Sequence, residues 1–190
     1  MKIYKVIGKR TSDIVFSFIA LCVLSPVLIL VAALIFLEDR GCPFYKSVRI
    51  GKNGSKFTMF KFRSMPVGTR QLSSKQGIDL EKTKFGHFLR RSNIDELPQL
   101  FNVLCGQMSL IGPRPCLPEQ HDLIHWRRLN NSINCLPGLT GLAQVRAYDG
   151  MSEQEKAKHD EEYCKGLSLK TDLGIVFKTI AYLTRKPPIY

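Results

Sequence analysis

The longest hydrophobic feature of the chain is an uncharged run from Ile14 to Leu37, interrupted only by Ser17, Cys22, Ser25 and Pro26. As a helix, this run would extend about 36 Å at a rise of about 1.5 Å per residue. The hydrocarbon core of a bilayer is about 30 Å thick. The run also exceeds the apolar core of a typical secretory signal peptide. The pattern therefore predicts a membrane helix.

The charges that flank this run bear on whether the helix crosses the membrane. Basic residues precede it and follow it, and no acidic residue lies between Arg40 and Lys75. The positive-inside rule places both flanks in the cytoplasm, which one straight span does not satisfy. Pro26 removes a helical hydrogen bond and favours a kink, and the Ser25 hydroxyl could satisfy a carbonyl freed there. The residues alone leave a re-entrant helix and a kinked spanning helix equally open.

The sequence as a whole predicts an α+β fold that is mostly helical. Residues 1–40 form the predicted membrane segment, and residues 41–190 form a compact cytosolic domain. Phe44–Ile50 and Lys56–Met65 alternate aromatic and basic residues around a glycine-rich turn, which predicts a β-hairpin. Capping-box spacings from Ser92 and Asn93 predict a helix start before Asp95. The predicted helices are Lys84–Arg91, Ile94–Leu104, Glu119–Leu129 and Ser152–Leu167, and the predicted loops and turns are Pro66–Asp79, Gly112–Pro115 and Pro137–Gly141.

A final helical pattern lies near the C-terminus. Its apolar stripe consists of Leu173, Val176, Phe177, Ile180 and Leu183. An amphipathic helix of this kind could lie at the membrane interface. Packing of the same stripe onto the core of the domain is the alternative interpretation.

Composition adds a strong basic excess and scattered cysteines. The chain has 28 Lys+Arg against 16 Asp+Glu, a formal net charge of +12. We therefore expect an anionic partner, which could be nucleic acid, anionic membrane lipids or a phosphorylated substrate. The six cysteines form no C-x-x-C pair, so we predict reduced thiols facing the cytosol and neither a zinc site nor a disulfide framework.

The adjacent carboxylates of Asp95 and Glu96 are the first candidates for chemistry. They follow Arg90 and Arg91, and nearby cations and helix-terminal N–H groups would keep both ionised. Asp95 could then act as a nucleophile, and Glu96 as a ligand for Mg²⁺. Acidic residues are also common caps at helix N-termini, and for the pair taken alone capping is the simpler interpretation.

A basic cluster offers candidates for phosphate binding. Arginine presents a bidentate fork to phosphoryl oxygens, and Arg114 lies on a stiff Pro-Arg-Pro backbone. Attraction of the whole cluster to anionic lipid headgroups, about 1 kcal/mol per residue, is a compatible alternative. The members are Lys61, Arg63, Arg90, Arg91 and Arg114.

Several strings together resemble the bacterial monotopic phosphoglycosyl transferases, also called initiating sugar transferases, in their minimal small form. They occur in one order over nearly the whole chain, and it is their combination that is specific. The strings are Lys9-Arg10-Thr11-Ser12-Asp13, Ser25-Pro26, Phe60–Met65, Arg90 with Asp95–Leu100, Met108–Pro115 and Pro137–Val145.

The resemblance implies a fold and a reaction. Ser25-Pro26 would mark the break of a re-entrant helix at the cytoplasmic face of the bacterial inner membrane. Asp95 would attack the sugar-proximal phosphorus of a UDP-sugar, expel UMP and hold the sugar phosphate until polyprenyl phosphate displaces it. Glu96, together with Asp95, would bind Mg²⁺. Phosphate contact is implied for Lys61, Arg63, Arg90 and Arg114.

One departure and two alternatives accompany this resemblance. Many members carry an Asn-Gly-Arg-like run where this chain has residues 146–150 in the order Arg-Ala-Tyr-Asp-Gly, which leaves the sugar open. A lipid glycosyltransferase would release UDP instead of UMP, but such enzymes often use an Asp-x-Asp string that this chain lacks. A non-enzymatic, membrane-anchored basic module would not need Asp95 and Glu96. We expect no nucleic-acid partner, because the chain has no RNA-binding signature.

Overall fold

Helices predominate in the computed structural model, which describes residues 4–66, 83–146 and 150–183. A π-helical turn at Tyr4–Gly8 leads into the first helix. The helices are α1 (Lys9–Asp39), α2 (Lys84–Ser92), α3 (Gln99–Leu104), α4 (His121–Leu129), α5 (Glu153–Lys165) and α6 (Leu169–Leu183). The strands are β1 (Phe44–Ile50), β2 (Lys56–Phe62), β3 (Ser109–Ile111) and β4 (Gly138–Thr140).

The predicted apolar helix is confirmed as α1. Its Lys9–Glu38 stretch is long and apolar enough to cross a membrane, with a mean hydropathy of 3.0 in its most apolar window. The helix continues through Pro26 as one element, so the break of a re-entrant helix stays a prediction. Pro26 has no N–H to donate to the Cys22 carbonyl, and the Ser25 hydroxyl donates to that carbonyl instead, at 2.8 Å. The predicted role of Ser25 is thus confirmed.

The N-terminal end of α1 is attached to the domain by polar contacts. The Arg10 guanidinium donates to the carbonyl oxygens of Val103 and Leu104, at 2.6 and 2.8 Å. The buried Asp13 carboxylate accepts the N–H of Leu110 at 3.0 Å. These bonds satisfy carbonyl groups at the end of α3 and an N–H of β3, so they fix the start of α1 against both elements.

The C-terminal end of α1 packs on the same domain through apolar side chains. Val31 and Ile35 are buried in a cluster with Phe62 of β2 and Leu89 of α2. Both ends of α1 therefore contact the same domain, and the face of α1 that points away from this domain is uncovered. Exposed apolar residues on that face include Phe16, Phe18, Val23, Ile29, Leu30 and Leu37.

The predicted hairpin is confirmed, although β2 ends at Phe62 instead of Met65. β1 and β2 pair antiparallel with Ser47 opposite Met59, and the turn passes through Asn53 and Gly54 with positive φ angles of 58° and 77°. Left-handed backbone of this kind favours glycine and asparagine, which is why the residues of this turn predicted the hairpin correctly.

Asn102 of α3 holds the outer edge of β2. Its amide oxygen accepts the N–H of Phe60 at 3.0 Å, and its amide nitrogen donates to the carbonyl of Thr58 at 2.7 Å. The side chain is fully buried and so replaces a neighbouring strand. β2 is thereby fixed to α3, close to the position of Lys61.

The predicted helix over Ile94–Leu104 is wrong as a single element. A 3₁₀ turn at Ile94–Glu96 precedes α3, because Pro98 lacks the N–H that would bond to the Ile94 carbonyl. The capping box is also wrong. Asn93 has a φ of 55° and ends α2, and the Ser92 hydroxyl donates back to the Phe88 carbonyl at 2.8 Å.

A second correction concerns Pro137–Gly141, which was predicted as a turn. Gly138–Thr140 instead forms β4, which pairs parallel with β3. A Cβ on Gly138 would collide with the backbone of Gly112, so this close approach requires glycine. The segment Gly112–Pro115 is irregular, as predicted.

The remaining helices agree with the sequence within a few residues, and Ser152 caps α5 through a capping box with Glu155. The stripe of α6 does not pack on the core: Phe177 is 70% exposed, and Ile175 is the buried apolar residue instead. The alternative interpretation, in which this stripe packs onto the core of the domain, is therefore wrong. Nearly all of the predicted loop Pro66–Asp79 lies outside the described residues.

The prediction of six reduced thiols is wrong for one pair. A disulfide joins Cys135 to Cys164 of α5, with their Cα atoms 6.3 Å apart. Separations of roughly 4.4–6.8 Å suit a disulfide, and a contact across 29 residues leaves no local sequence pattern. The other four cysteines, Cys22, Cys42, Cys105 and Cys116, are free.

Candidate active site

The 3₁₀ turn between α2 and α3 presents the two adjacent carboxylates. Because α2 ends at Asn93 in a left-handed conformation, the chain turns sharply before Asp95 and Glu96. The Asp95 residue is only 7% exposed, and the Glu96 side chain is 14% exposed. Their burial contradicts the interpretation of the pair as solvent-facing helix caps, and no side-chain cap bond is formed here.

Two cations from distant parts of the chain converge on this pair. Lys61 comes from β2, and its Nζ lies 2.7 Å from Glu96 Oε1 and 3.8 Å from Asp95 Oδ2. Arg114 comes from the irregular segment after β3, and it donates to the same Glu96 oxygen at 2.9 Å. The structure thus brings the predicted carboxylate pair together with two members of the predicted basic cluster.

The electrostatics differ between the two carboxylates. Burial raises the pKa of Asp95, and the charge of Lys61 opposes that rise only in part, while neighbouring Glu96 adds to it. Burial acts on Glu96 in the same direction, but Arg114 and Lys61 outweigh it and hold the Glu96 pKa well below its usual range. The depressed pKa of Glu96 agrees with the expectation that the pair is ionised, whereas for Asp95, whose pKa is raised, that expectation stays a prediction.

Arg90 and Arg63 occupy different surroundings. Arg90 donates through Nε to the Ser64 hydroxyl at 3.0 Å, and its charge is among those that lower the pKa of Asp95. The Arg63 guanidinium instead lies against Gly41, just after α1, where a Cβ would collide with it. Arg90 therefore belongs to the cluster of Asp95, and Arg63 packs beside the C-terminal end of α1.

The other selected residues lie elsewhere. Ser25 and Pro26 are exposed in the middle of α1. In the segment that departs from the family pattern, Arg146 pairs with Glu162 of α5 at 2.9 Å, and residues 147–149 lie outside the described part of the chain.

Arg49 of β1 also lies near this cluster, although its sequence pattern did not predict a role for it. Burial lowers its pKa, Arg114 lowers it further, and Glu96 acts in the opposite direction, so its guanidinium lies in the field of the cluster. The neighbouring Ile50 forms an isolated bridge with Cys116, which brings β1 beside the segment that carries Arg114. This long-range bridge has no local signal, and in the sequence Arg49 is one basic residue among many.

The donor set fits Mg²⁺ only with help from a substrate. Mg²⁺ is commonly held by one or two carboxylates together with substrate phosphates and water. Asp95 and Glu96 supply two adjacent carboxylates, and no larger group of metal-ligating side chains occurs among the described residues. A metal here would therefore share the Glu96 carboxylate with Lys61 and Arg114 and would take its other ligands from phosphate oxygens.

Comparison with known proteins gives one consistent result. Residues 4–186 match the family model described as bacterial sugar transferase. The chain is 36% identical to a UDP-glucose:undecaprenyl-phosphate glucose-1-phosphate transferase of Klebsiella pneumoniae, over 90% of this chain and 39% of that protein. It is 41% identical to a UDP-N-acetylgalactosamine-undecaprenyl-phosphate N-acetylgalactosaminephosphotransferase of Aeromonas hydrophila, over 90% of this chain and 42% of that protein.

A shorter relative matches over most of its length. The chain is 37% identical to the exopolysaccharide production protein ExoY of Sinorhizobium fredii, over 92% of this chain and 84% of that protein. By contrast, the chain spans about two fifths of the length of the Klebsiella and Aeromonas relatives.

Proposed function

Because this chain belongs to the bacterial sugar transferase family, we propose that it transfers a sugar 1-phosphate from a UDP-sugar to a polyprenyl phosphate and releases UMP. The names of the Klebsiella and Aeromonas relatives describe transfers of this type, with glucose in one and N-acetylgalactosamine in the other. Since those sugars differ, the proposal extends to UDP-sugars as a class. The reaction would be the first membrane step in the synthesis of a glycoconjugate.

The observation that carries the proposal is the buried Asp95 carboxylate beside a cation-bound Glu96. A carboxylate can attack a diphosphate only where positive charge neutralises the phosphoryl oxygens that it approaches. Lys61 lies 3.8 Å from Asp95, and Arg114 donates to the Glu96 oxygen that Lys61 also contacts. Arg90 adds a third positive charge to the field at Asp95. The cluster suits the transfer of a phosphoryl group.

The proposed reaction has two displacements at one phosphorus. An Asp95 oxygen forms a bond to the sugar-proximal phosphorus, and the bond from that phosphorus to the bridging oxygen breaks, so UMP departs with the electron pair. A phosphate oxygen of the polyprenyl phosphate then attacks the same phosphorus, and the Asp95 carboxylate is released. Splitting the transfer in this way means that donor and acceptor need not be bound together.

Glu96 has a positioning role in this scheme. Its pKa is depressed, so it stays anionic, and one of its oxygens accepts from both Lys61 and Arg114. It thereby holds two cations at a fixed spacing before the substrate arrives. Asp95 and Glu96 would hold Mg²⁺ together with the substrate phosphates, and the ion would supply further neutralisation of phosphoryl charge.

We also propose that α1 is re-entrant and that the domain lies at the cytoplasmic face of the bacterial inner membrane. Arg10 and Asp13 near one end of α1 bond to the domain, and Val31 and Ile35 near the other end are buried in it. A straight span would place its two ends on opposite faces of the bilayer, where one cytosolic domain could not contact both. The exposed faces of α1 and α6 then have lipid as their natural neighbour, and anionic headgroups suit the basic charge.

The test is nucleotide release by the purified chain in lipid nanodiscs, supplied with Mg²⁺, polyprenyl phosphate and a panel of UDP-sugars. UMP release that is lost in Asp95→Asn, and reduced in Glu96→Gln, would support the proposal. Release of UDP would mean glycosyl transfer without the phosphate. If Asp95→Asn still releases UMP, Asp95 is not the nucleophile. Binding of anions without turnover would favour a basic binding module.

A second measurement tests the topology. Single cysteines placed just before Lys9 and just after Asp39, in a chain without its other exposed cysteines, are labelled with a membrane-impermeant reagent. Labelling of both positions from the same face supports the re-entrant helix. Labelling from opposite faces would mean that α1 spans the bilayer.

A further inference from the structure

Arg49 has a position that the proposed reaction does not yet use. It lies on β1 next to Ile50, whose N–H donates to the Cys116 carbonyl at 2.9 Å. This bond attaches β1 to the segment just after Arg114. The Arg49 guanidinium lies 3.5 Å from the carbonyl of Pro115, at the limit of a hydrogen bond. Arg49 and Arg114 are therefore brought together by the backbone on either side of the bridge.

The guanidinium of Arg49 has no counterion in the described part of the chain. Its Nε is buried and has no acceptor there, and Arg49 makes no ion pair with a described carboxylate. Among the carboxylates, the field of Glu96 reaches Arg49, and the Glu96 Oε1 already accepts from Lys61 and Arg114. Two guanidinium groups in a partly buried place repel each other, and a bound anion relieves that repulsion.

We propose that Arg49 is a further substrate-binding residue, which takes together with Arg114 the phosphate that leaves with the nucleotide. This rests on the proposed function. The phosphorus that is attacked must lie at Asp95, where the charges of Lys61, Arg90 and Arg114 act, in that order of strength. Arg114 donates to Glu96, the neighbour of Asp95, and Arg49 lies in the field of both Arg114 and Glu96, so the proposal places the second phosphate of the diphosphate beside these two arginines.

Arginine suits this task because it offers two parallel N–H donors to phosphate oxygens. Charge develops on the nucleotide phosphate as its bond to the sugar-proximal phosphorus breaks. A pair of guanidinium groups at that phosphate would stabilise the leaving group, while Lys61 and Arg90 act at the attacking side. The subsite is thus specific for the phosphate of the nucleotide and indifferent to the sugar.

The experiment compares UMP with uridine as inhibitors of UMP-releasing turnover by the full chain in nanodiscs. The two ligands differ only in the phosphate, so the ratio of their inhibition constants isolates the phosphate contact. We expect Arg49→Gln to reduce the advantage of UMP over uridine about ten- to a hundredfold, the usual effect of one charge-assisted bond. Arg49→Lys, which keeps the charge without the fork, should reduce it less.

The matched control is Lys56→Gln, which removes one positive charge from the same hairpin at an exposed position. We expect that change to leave the ratio unaltered. A ratio that is unaltered in the folded Arg49→Lys and Arg49→Gln chains would overturn the proposal. So would an increase confined to the KM of polyprenyl phosphate, because it would assign Arg49 to the acceptor.

Failure of the proposed function is seen separately. It would appear as UDP release by the unchanged chain, whatever the effect of Arg49. If Arg49→Gln does not fold, the Arg49→Lys chain carries the comparison, since it keeps the charge and most of the packing. A ratio in that chain equal to the ratio in the unchanged chain would also overturn the proposal.

Discussion

Replacement of Lys61 by methionine should move the activity of this protein to higher pH. Methionine keeps the unbranched stem and removes the charge that lies 3.8 Å from Asp95 Oδ2. At that distance the attraction is worth about 1 kcal/mol for an effective dielectric constant near 80, and about 4 kcal/mol near 20. Burial already raises the pKa of Asp95, and Lys61 is the largest opposing influence. Without Lys61, protonation of Asp95 therefore competes with nucleophilic attack at higher pH.

The sign of the effect follows from the chemistry. In the proposed reaction Asp95 attacks as a carboxylate, so turnover should fall as pH falls through the Asp95 pKa, and a variant with a higher Asp95 pKa should lose activity at a higher pH. At a pH on this acid limb, Lys61→Met should lower kcat/KM further than at high pH. The additional loss should be about fivefold if the Lys61–Asp95 attraction is ~1 kcal/mol, and several hundredfold if it is ~4 kcal/mol. The assay is kcat/KM for the UDP-sugar measured across pH, which reports groups of the free enzyme.

A control separates this effect from general loss of charge. Arg91 is exposed and lies close to the pair in sequence, so Arg91→Met removes one positive charge without removing a contact of Asp95. We expect the acid limb to stay in place in that variant. If Lys61→Met lowers kcat/KM by the same factor at every pH, Lys61 acts on the phosphate alone, and the reasoning about Asp95 is refuted.

Three further changes test other parts of the structure. Asp160→Asn leaves the buried Arg127 without its counterion and should lower the free energy of unfolding by about 3–5 kcal/mol, whereas adding Arg127→Met should restore much of the loss in thermal unfolding. Ser25→Ala should lower the free energy of unfolding by about 1 kcal/mol in the unchanged chain, but not in a Pro26→Ala chain, where the N–H of Ala can bond to the Cys22 carbonyl. Equal losses with and without Pro26→Ala would contradict this account. Phe177→Glu should weaken flotation with anionic vesicles without unfolding the chain, and unchanged flotation would exclude α6 from the membrane contact.

Local patterns predicted much of this fold and the centre of its site. The length of α1 and the β1–β2 hairpin follow from apolar run length and turn residues, which are local signals. The capping box of Ser152 and Glu155 at the start of α5 is a local signal too, although the prediction of that helix did not use it. Selection of Asp95, Glu96, Lys61 and Arg114 was possible because each residue type has a definite chemistry toward phosphate. Their convergence on one carboxylate oxygen is the result that the structure adds.

Long-range contacts explain what the sequence could not predict. β3 and β4 have three residues each, too few for an alternating pattern, and they pair only because the glycine backbones approach closely. The position of Arg49 beside Arg114 depends on the bridge between Ile50 and Cys116, which joins parts of the chain far apart in sequence. The split before α3 was different in kind, since the missing N–H of Pro98 is a local signal that outweighs the capping pattern.

The attachment of α1 connects membrane depth to the proposed nucleophile. The cluster that buries Val31 and Ile35 also contains Phe62 and Ile94, the direct neighbours of Lys61 and Asp95. Successive side chains of a strand point to opposite faces, so Phe62 contacts the membrane helix while Lys61 reaches the carboxylates. With α1 in the bilayer as proposed, its depth would set the height of both Lys61 and Asp95. In the proposed reaction the acceptor phosphate is carried by a lipid and lies at the headgroups, so a helix held at both ends would keep the proposed nucleophile at that level.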